Sequence, residues 1–142
     1  MTFAVAPRPV VADASVIVDV LLLEPRAAAA WQAWLEAERM LLAPPIVWLE
    51  VVNALVRRRK MPSDTAMARV DLLLKSGLDT ADGGYGGLAT AADLAARHRL
   101  SAYDSSYLAL AIEIDAELAT FDRDLARAAE AEGVPLAIKL DD

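Results

Sequence analysis

Four carboxylates in this sequence sit where a charge needs an explanation. Asp13 halts the apolar run Val10-Val11-Ala12 and is followed two residues later by Ser15. Glu50 lies within Ile46 to Leu55, a segment apolar nearly all round, and Asn53 follows at a spacing that shares a helical face. Asp104 falls three residues after Ser101 at a helix start, and Asp122 ends the apolar stretch Ala116 to Phe121, with Asp124 close behind. Singly, each has a structural use. An aspartate after a strand caps the next helix by accepting its first backbone N–H groups, Ser101 with Asp104 fits a capping box, and a buried Glu50 can be held by an arginine from elsewhere. Jointly they describe a different chemistry. Carboxylates gathered at one point cannot all stay ionised without cations, and an oxygen-only donor set suits hard ions such as Mg2+ or Mn2+. Such ions polarise phosphate, activate water and stabilise the departing oxygen.

Whether the acids gather depends on the elements that carry them. The short apolar run before Asp13 predicts a strand covered on both faces, as in parallel α/β sheets, with a helix over Val16 to Leu23 leaving it. Open parallel sheets bind ligands beyond the carboxyl ends of their strands, where Asp13 stands. After Pro25, the Ala-rich segment Arg26 to Glu38 predicts a helix with Trp31 and Trp34 on one face. Met40 to Ala43 predicts a second strand, ended by Pro44-Pro45, and a third helix runs from near Pro45 to about Lys60. Its close, Arg57-Arg58-Arg59-Lys60, complements a helix C-terminus and can contact phosphate. A fourth helix, capped by Ser63 or Asp64, reaches Lys75 and is closed by Gly77; Leu78 and Asp79 form a short strand.

The segment Asp82 to Gly87 holds too many glycines for regular structure and lacks the Lys-Ser or Lys-Thr ending of a phosphate-cradling loop, which predicts a flexible connection. Leu88 to Arg99 is a fifth helix, and another starts at Ser101. Ala116 to Phe121 is a strand, Leu125 to Glu132 an amphipathic helix, and Leu136 to Leu140 a last strand after Gly133-Val134-Pro135. Strand, aspartate and helix thus follow one another twice, which would bring Asp13 and Asp122 to the same sheet edge.

Composition narrows the chemistry further. With 142 residues, 56% of them hydrophobic, and no repeat or linker, the chain is expected to form a single domain, 1–142, around one core. No uncharged run approaches the roughly 18 residues of a membrane span, and Pro7, Arg8 and Pro9 speak against a secretory signal. The absence of cysteine excludes a disulfide framework and a thiolate site and fits a cytoplasmic location. The lone histidine, His98, excludes paired His ligands and leaves little room for a Ser-His-Asp triad; between Arg97 and Arg99 it reads as solvated helix surface. A net charge of −7 argues mildly against nucleic-acid binding, although metal-holding acids contribute to it and a local basic patch still steers RNA.

Four blocks, VVADAS, PPIVWLEVVNAL, LSAYDSSYLALA and LATFDRDLARAA, resemble in order and spacing the motifs of PIN-domain ribonucleases, and with the chain length they look most like VapC-type toxins of toxin–antitoxin pairs. No single block is specific; four in order are. The likeness spans Val10 to Leu140. It implies a three-layer α/β/α sandwich with a central, mainly parallel sheet, and an acidic pocket that holds Mg2+ or Mn2+ and cleaves RNA phosphodiester bonds. Carried onto this chain, the catalytic and metal-holding acids are Asp13, Glu50, Asp104 and Asp122, with Ser15 and Asn53 in support. Asp124 departs from the pattern and leaves open whether one or both of that pair approach the metal. The resemblance also implies a homodimer and a small antitoxin whose tail lies in a groove and blocks the pocket. Trp31 and Trp34 are candidates for lining that groove, with ordinary core as the alternative; Trp48 reads as core.

Rival classes account for parts of this pattern. A PIN-fold binding module without turnover would not need all four acids. A phosphatase with Asp13 as nucleophile expects a second aspartate two residues on, where Ser15 stands. A receiver domain would need a lysine near its later strands, and none is persuasive.

Overall fold

The structure, a computed structural model, describes residues 6–140. The first five residues, which bear on the expected absence of a signal segment, and the last two, which complete the expected domain 1–142, lie outside them. Four short strands, β1 (Val10–Ala12), β2 (Leu41–Ala43), β3 (Leu78–Thr80) and β4 (Glu117–Ala119), form one sheet in the order β3-β2-β1-β4, every pair parallel. Val10 aligns with Leu41 on one side and Glu117 on the other. The all-apolar β1 is therefore a central strand, and all three of its residues are buried. Beyond it, Asp13 N–H donates to the Ala119 carbonyl at 3.0 Å, which holds Asp13 at the carboxyl edge beside the end of β4.

Parallel neighbours need crossovers; of the seven α-helices among the described residues the first six lie in them and the last follows β4. These are α1 (Ala14–Leu21), α2 (Pro25–Glu36), α3 (Val47–Asn53), α4 (Ser63–Lys75), α5 (Gly84–His98), α6 (Ala102–Glu113) and α7 (Arg123–Ala131). Their main contacts fall into two groups, α1 to α4 and α5 to α7, with α6 also against β1. The expected α/β/α arrangement is present. Helix exits are uniform: Leu23, Glu38, Lys60, Gly77, Arg99, Asp115 and Gly133 all take positive φ just past a helical segment. A left-handed residue at this position lets orphan carbonyls bond back to the chain.

Several expectations need correction. The glycine-rich segment is not a loose connection, since α5 already begins at Gly84. A Cβ on Gly83 would stand 2.7 Å from Glu113 Oε2 and 3.1 Å from the Gly87 Cα, so the missing side chain there permits close packing. The last strand reduces to one parallel bridge, Leu118 with Leu136; Leu118 N–H donates to the Pro135 carbonyl at 2.9 Å and Ala137 N–H to the Leu118 carbonyl at 2.8 Å. Neither Ser63 nor Asp64 caps α4, whose flanking residue is Pro62. His98 is not solvated surface, because its ring nitrogen lies 2.9 Å from Glu132 on the exit of α7.

Trp31 and Trp34 meet edge to face with ring centroids 6.1 Å apart and are 5% and 6% exposed. That burial makes them core and removes them as groove lining. Trp48, expected inside, is only partly buried against the core.

Candidate active site

Asp13 is the most enclosed of the four acids, at 5% exposure. It caps α1, as a strand-end aspartate should, by accepting Val16 N–H at 3.2 Å on Oδ1. Capping is only part of its role. The Ser15 hydroxyl donates to the same oxygen at 2.6 Å, and the Thr120 hydroxyl donates to Oδ2. Each hydroxyl in turn accepts a backbone N–H from the segment after β4, Ser15 from Phe121 at 2.9 Å and Thr120 from Asp122 at 2.9 Å. The edges of β1 and β4 are thus laced together through one carboxylate. Burial pushes the Asp13 pKa up to about 6; hydrogen bonds from Ser15, Thr120 and Val16 oppose the rise, and the charge of Asp122 adds to it.

Asp122 caps α7 through Oδ1, which accepts Asp124 N–H at 2.9 Å and Leu125 N–H at 3.0 Å. Asp104 stands in the first turn of α6, whose cap Ser101 accepts its N–H at 3.0 Å. Its carboxyl is raised above the usual range by desolvation and then by the charge of Asp122, while the Ser101 hydrogen bond pulls the other way. Asp122 is therefore close enough to act on both Asp13 and Asp104. Glu50, on α3, accepts the Tyr107 hydroxyl of α6 at 2.5 Å. Burial first, and the Glu50 carboxylate next, hold the Tyr107 phenol far above its ordinary range, so it remains a proton donor. Glu50 is half-buried, and the arginine pair that would have given it a purely structural use is not found among the described residues.

Asp13, Ser15, Glu50, Asp104 and Asp122 line one cavity of about 440 Å³, together with Asp19, Tyr107, Phe121, Arg58 and Arg59. Sequence positions up to 109 apart converge there because the two strand ends are neighbours and α3 and α6 flank them. Asn53 and Asp124 are not brought in. Asn53 is exposed, and the exposed Asp124 carboxylate pairs with Arg127 at 3.2 Å on the outer side of α7. Two contributors were missed. Thr120 and Tyr107 look like core positions in a sequence, and their only signal is a hydroxyl two residues before Asp122 and three after Asp104.

None of the four acids forms an ion pair with a cationic side chain among the described residues. Their oxygens fit Mg2+ or Mn2+ in chemistry. As placed, no three His, Asp or Glu side chains among the described residues are drawn together tightly enough to enclose one ion. The acids line a common space rather than a closed cage. No helix among the described residues is long and apolar enough to cross a membrane.

The PIN domain family profile matches residues 10–131. A search of curated protein sequences found no significant match. Among solved structures, the fold is similar to that of PAE2754 from Pyrobaculum aerophilum, with a TM-score of 0.65 and 23% identity over 85% of this chain and 84% of that one. It is also similar to VapC20 of Mycobacterium tuberculosis, described as a sarcin-ricin loop cleaving toxin, with a TM-score of 0.67 and 18% identity over 84% of this chain and 94% of that one. At these identities the likeness to the two structures is one of fold. The family match takes in all four acids and the whole sheet that positions them, and the chain belongs to the PIN domain family.

Proposed function

We propose that this protein is a metal-dependent endoribonuclease that hydrolyses RNA phosphodiester bonds as the toxin of a toxin–antitoxin pair. The observation that carries the reading is four carboxylates without ion-pair partners among the described residues, in one cavity that Arg58 and Arg59 also line. Membership of the PIN family and the shared fold with a toxin that cleaves the sarcin-ricin loop support it. Asp13, Glu50, Asp104 and Asp122 would hold Mg2+ or Mn2+, which when bound supplies charge for a phosphate and lowers the pKa of water. The chain's own residues prepare that site. Ser15, Thr120 and the first turn of α1 fix the Asp13 carboxylate, Tyr107 fixes Glu50, and the α7 N-terminus fixes Asp122. The chain has no cysteine, and His98 is occupied by Glu132 outside the cavity, so water is the nucleophile that the site leaves available.

A phosphatase with Asp13 as nucleophile is not favoured. Its carboxylate is buried and already accepts three hydrogen bonds, two of them from hydroxyls. A homodimer, a small antitoxin protein that blocks the cavity, and a cytoplasmic location belong to the same proposal.

The test is incubation of the purified protein with cellular RNA in Mg2+, in Mn2+ and in EDTA, beside Asp104→Asn. Discrete cuts that need the metal and disappear in the variant are expected. RNA bound but never cut would instead make the protein a binding module, and a covalent protein–RNA adduct would exclude direct hydrolysis by water.

A further inference from the structure

The continuation of α3 is unusual. Residues Ala54–Arg58 form a π-helical turn, in which Arg59 N–H donates five residues back to the Ala54 carbonyl at 3.0 Å. Such turns hold one residue more than an α-helical turn and are often found at functional sites. Here the extra residue decides which arginine faces the acids. In an uninterrupted α-helix the position seven residues after Glu50 returns to within about 20° of its face, and that position is Arg57. The wider turn delays the return by one residue. Arg58 and Arg59 line the acidic cavity, and Arg57 does not.

The two arginines differ. Asp19 is raised above the usual carboxylate range by burial and then by the charge of Glu24, and Arg59 acts on it in the opposite direction. Arg58 has no ion pair or hydrogen bond among the described residues, although the cavity it lines holds five carboxylates. An unpaired guanidinium beside unpaired acids is an arrangement without use inside the folded chain. It suits a ligand that brings its own negative charge to one end and a reacting group to the other. A guanidinium presents a planar fork that matches phosphate oxygens.

We propose that Arg58 grips a backbone phosphate of the RNA strand next to the bond that the acids cut, and that the π turn exists to aim it there. This rests on the ribonuclease reading and adds to it the residue that positions the substrate. It also explains how a chain of net charge −7 holds RNA, by a local contact rather than a basic face.

The test compares Arg57→Ala, Arg58→Ala and Arg58→Lys. Binding of a short labelled single-stranded RNA of mixed sequence is followed by fluorescence anisotropy across a salt series, in an Asp104→Asn background so that nothing is cut. Arg58→Ala should weaken binding roughly five- to tenfold and lower the slope of log affinity against log salt by about 0.7, the loss of one phosphate contact. Arg58→Lys should keep the slope, and Arg57→Ala should shift affinity less than about twofold. In the active background, Arg58→Ala should raise KM far more than it lowers kcat. Arg58→Gln replaces Arg58→Ala if the latter does not fold. Unchanged affinity and slope in the Arg58 variants, or an equal loss in Arg57→Ala, overturns the proposal while leaving the ribonuclease reading intact. An effect of Arg58 confined to binding a protein partner overturns it as well. If the unmutated protein neither binds nor cuts RNA, the ribonuclease reading itself fails.

Discussion

Tyr107 donates its hydroxyl to Glu50 across 2.5 Å, so that α6 steadies an acid belonging to α3. Tyr107 stands one helical turn after Asp104, and both line the cavity. One face of α6 therefore presents an acid and also the donor that orients another. Tyr107→Phe keeps the ring in the core and removes only that bond. Single-turnover cleavage should slow about tenfold, with a stability loss of about 1 kcal/mol by urea unfolding. A rate unchanged in the variant would mean that Glu50 is held some other way.

Burial of Asp13 makes a prediction about pH. Its pKa is about 6 in the fold against 3.8 for an ordinary aspartate, so between these values the native state binds more protons than the unfolded one. Stability of the metal-free protein should therefore fall as pH rises from about 4 to about 6, by at most ~3 kcal/mol from this group. Glu132 acts in a different window, because Arg97 and His98 hold its pKa down at about 2, and its contribution is lost only as pH falls below 4.5. Asp13→Asn should remove the decline between pH 4 and 6, raise metal-free stability at pH 7 by roughly 1–2 kcal/mol and abolish cleavage. Urea midpoints across pH check this, and a variant less stable than the parent at pH 7 would show that the Asp13 hydrogen bonds outweigh its desolvation.

Thr120 is 1% exposed and serves two partners at once, donating to Asp13 and accepting from Asp122 N–H. Thr120→Val matches its shape but leaves a buried carboxylate oxygen and a backbone N–H without that partner. A loss of about 2–3 kcal/mol is expected, with an Asp13 pKa higher than in the parent. Thr120→Ser keeps both bonds and should lose under about 1 kcal/mol, for its methyl group alone. Equal effects of the two substitutions in thermal or urea unfolding would count against the hydroxyl.

The parts of this site that could be read from sequence were those with local signatures. The run Val10 to Ala12 is apolar because a central parallel strand is covered on both faces, and the repeat of strand, aspartate and helix by itself points Asp13 and Asp122 to one sheet edge. What escaped depends on neighbours distant in the chain. Thr120 meets Asp13 only because β4 lies beside β1, a fact of strand order that no local pattern carries. Regular helical spacing puts Asn53 beside Glu50, but the cavity side of this segment runs through Glu50, Ala54 and Arg58. The glycines at 83 to 87 resemble a loop because the packing of Gly83 and Gly87 against Glu113 appears only when α5 and α6 are side by side. The expected last strand failed for a related reason: its apolar residues cover the edge of β4, and a single bridge suffices to hold them.

If these acids cut RNA in a cell, the cuts leave new 5′ ends. Mapping the 5′ ends of cellular RNA after brief induction of the parent protein, beside Asp13→Asn at equal abundance, tests it most directly. New 5′ ends at a small set of recurrent sites are expected in the parent culture and none of them in the variant. Identical 5′-end profiles in the two cultures, or the same new ends in both, would contradict it.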